Sequence, residues 1–143
     1  IQQEVSCTGT LGGIKVDGIL VPKGKTCTLN GTRVLGNVKV EQGGTLYAYH
    51  VVANGSLQAD KAKSVYLYNA QIQGSVQIKE SSSVITLIGS EVDSDVQLEK
   101  NRASVVISDN TIGSNLQCKE NRYTPVGSGN TVLGNSEDQC SGF

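Results

Sequence analysis

The chain has 143 residues, 37% hydrophobic and 4% aromatic, with no Trp, no Met, one Phe and a formal net charge of −1. That length supports one domain whose core must come from Val, Ile, Leu and Ala. It has no basic block, acidic tail or apolar run near the roughly 20 residues of a membrane-spanning helix, which argues against nucleic acid and membrane as partners.

Residues 1–17 read as a partial opening coil, carrying Cys7 and the pair Thr8 and Thr10. The chain begins at Ile1 without Met, which fits a mature secreted product or a trimmed chain. A repeat starts at residue 18. Its units are GILVPKGKTCTLNGTRVLG, NVKVEQGGTLYAYHVVANG, SLQADKAKSVYLYNAQIQG, SVQIKESSSVITLIGSEVDS, DVQLEKNRASVVISDNTIGS and NLQCKENRYTPVGSGNTVLG, three of 19 residues and then three of 20. Residues 135–143 form a closing cap, so residues 1–143 make a single domain with six full coils at 18–134.

Stacked in register, the units form columns. Ile19, Val38, Leu57, Val76, Val96 and Leu116 make one apolar column, and Val21, Val40, Ala59, Ile78, Leu98 and Cys118 make another two residues on. Two further columns run from Cys27 to Pro125 and from Leu29 to Gly127, and an isolated one from Val34 to Val132. Two period-2 pairs and a singlet per unit, separated by Gly, Asn, Ser and Asp, describe short strands and turns rather than helices. The expected fold is an all-β parallel solenoid with three sheet faces per coil and about seven coils stacked about 4.8 Å apart.

Charge tests this register. Glu41, Asp60, Lys79, Glu99 and Lys119 share one column, beside Gln42, Lys61, Glu80, Lys100 and Glu120. From Asp60 onward the sign alternates coil by coil, the arrangement that avoids like charges on adjacent strands. Between the first two apolar columns, Gln58, Gln77, Gln97 and Gln117 are placed to bond along a ladder. Cys7 and Cys27 lie twenty residues apart, and Cys118 and Cys140 twenty-two, about one coil in each case. Since bridged Cα atoms lie roughly 4.4–6.8 Å apart, the expected disulfides are Cys7–Cys27 and Cys118–Cys140, one at each end. They point to an oxidising, extracellular setting.

With its closing stretch NLQCKEN continuing to GNTVLGNSEDQC, the chain resembles small secreted β-helix proteins of bacteria and fungi with the right-handed, pectate-lyase-like fold. The resemblance covers the whole chain in architecture and specific motifs over residues 115–140. It implies right-handedness, which the repeat alone leaves open, and no established activity.

Enzymes of that fold cluster carboxylates and basic partners in a groove walled by long loops. Here the densest acidic group is Glu91, Asp93 and Asp95. Oxygen ligands so spaced suit Ca2+, the one cofactor the sequence brings to mind, for a minimal polysaccharide-acting enzyme; the plainer reading is a solvated acidic corner. His50 stands alone and lacks partners for a metal site or a triad. Asn30 and Asn54 head sequons at turns.

The outer side of the middle face stands apart. It runs Thr26, Thr45, Ser64, Val84, Ser104, Thr124; then Thr28, Tyr47, Tyr66, Thr86, Val106, Val126; then Asn30, Tyr49, Tyr68, Ile88, Ser108, Ser128, with no charge anywhere. Four of five tyrosines form a two-by-two grid beside Thr86, Ile88 and Val106. Stacked tyrosines can simply stabilise a sheet. An uncharged aromatic surface also suits a protein, a second copy or an extracellular glycan; ice binding would need the Thr-x-Thr pattern to continue, and it stops after Thr26 and Thr28. The sequence therefore points to a secreted, non-catalytic binding module, with the Ca2+-dependent enzyme and a purely structural surface protein as alternatives.

Overall fold

The computed structural model describes residues 2–143, and among these it is all β, a parallel solenoid of about seven turns with no helix. The first face stacks Val38–Val40, Leu57–Asp60, Val76–Lys79, Val96–Glu99 and Leu116–Lys119. The middle face stacks Thr10–Leu11, Thr26–Asn30, Thr45–Tyr49, Ser64–Tyr68, Ile85–Ile88 and Val105–Ser108, with Val106 bridging to Val126 above. The third face uses two-residue strands, from Arg33–Val34 through Thr131–Val132, and joins the first through the long strand Lys15–Val21.

Every pairing is parallel and advances by one coil. Val38 lies beside Leu57, then Val76, Val96 and Leu116, which is the expected first column. The five apolar columns converge on an aliphatic interior in which Ile19, Leu57, Ile85, Ile107 and Leu116 are fully buried. Narrow coils leave room for one branched aliphatic per position, which accounts for the lack of Trp and Met.

The columns also hold the corners. Where the third face turns into the first, each coil's opening side chain caps the backbone of the next. Ser56 N–H donates to Asn37 Oδ1 at 2.8 Å, Ser75 N–H to Ser56 Oγ at 3.0 Å, Asn115 N–H to Asp95 Oδ1 at 2.9 Å and Asn135 N–H to Asn115 Oδ1 at 2.9 Å. Where the first face turns into the middle one, Ser81 N–H donates to Asn101 Oδ1 (3.0 Å), and Asn101 Nδ2 donates to Asn121 Oδ1 (2.9 Å) and to the Ile78 carbonyl (3.2 Å). Gln139 closes that ladder by accepting from Asn121 Nδ2 at 2.9 Å. A matching ladder of Ser90, Asn110 and Asn130 fills the corner between middle and third faces. A turning chain withdraws backbone groups from the sheet, and buried amides must then be satisfied by side chains.

At that last corner Gly31, His50, Asn69, Gly89, Asp109 and Gly129 all have positive φ. Gly, Asn, Asp and His tolerate this region best among residue types. The single histidine is thereby explained as an exposed corner residue.

Both disulfides pair as expected, with Cα atoms 5.4 Å apart in Cys7–Cys27 and 5.3 Å in Cys118–Cys140. Gln2–Ser6 lies against Lys15–Val21 at one end, and Ser136–Asp138 covers Leu116–Lys119 at the other. Bridges of this kind belong to an oxidising compartment.

The charge columns keep their register, with Lys79 between Asp60 and Glu99, and Lys119 beyond Glu99. Yet among the described residues only Lys100–Glu120 closes to an ion pair, at 3.9 Å with both side chains more than half exposed. Lys61, Glu80, Lys100 and Glu120 sit at positive φ, beyond the strands, where Lys61, Lys100 and Glu120 are exposed to water and Glu80 is half-buried. The alternation avoids repulsion more than it builds contacts. The glutamines do bond: Gln77 donates to Gln97, and Gln97 to Gln117, each at 3.0 Å.

Candidate functional site: the uncharged face

Period-2 alternation sends Leu46, Ala48, Val65 and Leu67 into the core and their neighbours outward. Because Thr45–Tyr49 and Ser64–Tyr68 pair residue for residue, Tyr47 must lie beside Tyr66 and Tyr49 beside Tyr68. Their rings stack at centroid separations of 4.6 Å and 5.3 Å, with interplanar angles of 7° and 10°. All four are half-buried.

The stacking direction matters. Rings facing one another along the rod present edges and hydroxyls to solvent, not their flat faces. A sugar stacks on an open ring face, and here each ring gives one face to its partner. The grid is therefore a row of phenolic edges set in a hydroxyl-rich sheet. Burial raises the Tyr68 phenol above its ordinary value, and the neighbouring Tyr49, Tyr66 and Tyr47 add to the shift.

The face is also less even than alternation alone predicts. Thr45, Ser64 and Thr86 are only 8%, 3% and 7% exposed. Thr86 lies between Tyr66 and Val106 in register, where larger side chains shade it, so it offers little to a partner. Ile88 and Val106 are half-buried and remain at the surface. The tyrosine columns thus stand beside a low column of Thr45 and Ser64.

Glu91, Asp93 and Asp95 do not come together. Among the described residues no three Asp, Glu, His or Cys side chains form a group able to hold a metal. Glu91 and Asp93 are exposed on the third face, whereas Asp95 begins the next coil with one oxygen already taken by the Asn115 amide. Of the sequon residues, Asn30 is exposed, while Asn54 is half-buried with its Oδ1 enclosed and unpartnered.

Comparison of the chain with protein-family models, curated proteins and solved structures finds no match.

A shallow pocket of about 280 Å3 opens at the corner leading into the face, lined by Gln42, Gly43, Lys61, Glu80, Ser82 and Arg102. It was not foreseen from the sequence. Its signal was Gly43–Gly44, which removes side chains from a corner that carries Lys61 and Lys63 one coil later.

Proposed function

We propose that the chain is a secreted, non-catalytic right-handed β-helix of the pectate-lyase-like type. It acts as a binding module whose Tyr/Thr face meets an extracellular partner, a protein or a glycan. The observation that carries this reading is the distribution of charge. Twenty-five charged side chains lie on a small rod, yet none of the eighteen outward positions of the middle face holds one. Water alone sets no such pattern, since the first face is studded with Lys, Glu and Asp. Large uncharged surfaces mark contact sites, and tyrosine is enriched there.

Ring orientation favours a protein over a flat-lying sugar. Edge-on phenols donate and accept hydrogen bonds to a backbone or to hydroxyls, and each ring already gives one face to its stacking partner. The dispersal of Glu91, Asp93 and Asp95 gives no support to Ca2+-dependent catalysis. Replacing Tyr47, Tyr49, Tyr66 and Tyr68 with Ser tests the proposal. Light scattering and a glycan array should show loss of association or binding with unchanged far-UV circular dichroism. Retention of both behaviours in the variant would refute it.

A further inference from the structure

We infer that the partner of the uncharged face is a second copy of this chain, packed face to face with the two rods parallel. This rests on the reading of that face as a contact surface. Three observations select the occupant and its orientation.

The first is charge at the two borders. The corner leading into the face carries exposed Lys25, Lys63, Arg102 and Arg122, with Glu80 sharing the corner pocket with Arg102 as its one acid neighbour there. The corner leaving it consists of Gly31, His50, Asn69, Gly89, Asp109 and Gly129, where Asp109 is the one acid. Two sheets can meet about a two-fold axis along the strands or along the rod. An axis along the strands lays the basic border over its own copy. An axis along the rod lays it over the border that holds Asp109. Arg102 and Asp109 belong to the same coil, so they stand at the same height, and the symmetry forms the pair twice.

The second is relief. An axis along the rod, through the column of Tyr47 and Tyr66, exchanges the columns on either side of it. The tall column of Tyr49 and Tyr68 then sits over the low column of Thr45 and Ser64, both nearly buried. Tyr47 and Tyr66 meet their own copies at the axis.

The third is size. The three outward columns span five residues along the strand direction and six coils along the rod, about 16 Å by 29 Å, or on the order of 1,000 Å2 buried over two copies. That is the lower bound for a specific interface, so the dimer is weak and concentration-dependent.

Sedimentation equilibrium on the intact chain tests the inference. The mass should rise from 15.0 kDa toward twice that value as protein increases toward about 1 mM. Asp109→Asn and Arg102→Gln, both at exposed corners, should each weaken association about ten-fold. The double variant should weaken it no further than either alone. A constant 15.0 kDa overturns the inference, as does association indifferent to both single variants. A monomer whose glycan binding is lost on Tyr→Ser replacement overturns the dimer and leaves the contact face standing. A monomer that binds the array equally well with and without the four tyrosines overturns both.

Discussion

The asparagine ladder at the corner between first and middle faces gives a sharp energetic contrast between adjacent rungs. Asn101 is buried and makes three side-chain bonds: it accepts from Ser81 N–H and donates to Asn121 Oδ1 and the Ile78 carbonyl. Asn101→Ala removes two donated bonds and orphans a buried backbone N–H. At about 1 kcal/mol per lost bond and about 1–3 kcal/mol for the orphan, the cost is about 3–5 kcal/mol. Ser81 is equally buried, but its Oγ has no partner and only its backbone N–H uses the ladder. Ser81→Ala deletes an unsatisfied hydroxyl and should be neutral or slightly stabilising, within about 1 kcal/mol. Equilibrium unfolding in guanidinium with the disulfides intact reads both, with Gln73→Ala as an exposed control near zero. Equal costs for the two alanine variants would show that the ladder is not what holds the corner.

The C-terminal bridge closes a loop of 22 residues, so replacing both Cys118 and Cys140 with Ser should cost about 3 kcal/mol in the same unfolding measurement and bare the Leu116–Lys119 edge to rapid amide exchange. The raised phenol of Tyr68 stabilises the fold in its neutral form. Its contribution is complete below the unfolded value of about 10 and is lost as pH rises through the folded value, because the unfolded chain then gives up its proton first. A denaturation series across that range should show stability falling with pH, and Tyr68→Phe should make the fall shallower; an unchanged slope would remove the phenol from the account.

The sequence made the coil legible because a solenoid repeats each environment once per turn. Column membership, the outward tyrosines, the disulfide partners and the alternating charges all follow from counting 19 or 20 residues. Other features have no such signature. Asn101, Asn110, Asn121 and Asn130 read as turn residues, since Asn favours turns for its own local reasons. That they lie inside the corner and bond up the rod depends on where the chain bends. The buried state of Thr86 comes from the bulk of its neighbours on other coils. Ring orientation at Tyr47 and Tyr66 comes from stacking across coils and decides what the grid can hold. The acidic trio shows the reverse case, for Glu91 and Asp93 share the third face while the turn into the next coil carries Asp95 away, close though it is in sequence.

The central claim is that this rod meets its partner through the uncharged face. Hydroxyl-radical footprinting across a dilution series from about 1 mM to about 1 µM reads it at single side chains. Tyr47, Tyr49, Tyr66 and Tyr68 should lose labelling as concentration rises, while Leu133, 70% exposed on the third face, should not change. Association accompanied by protection of Leu133 and constant labelling of the four tyrosines would contradict the account.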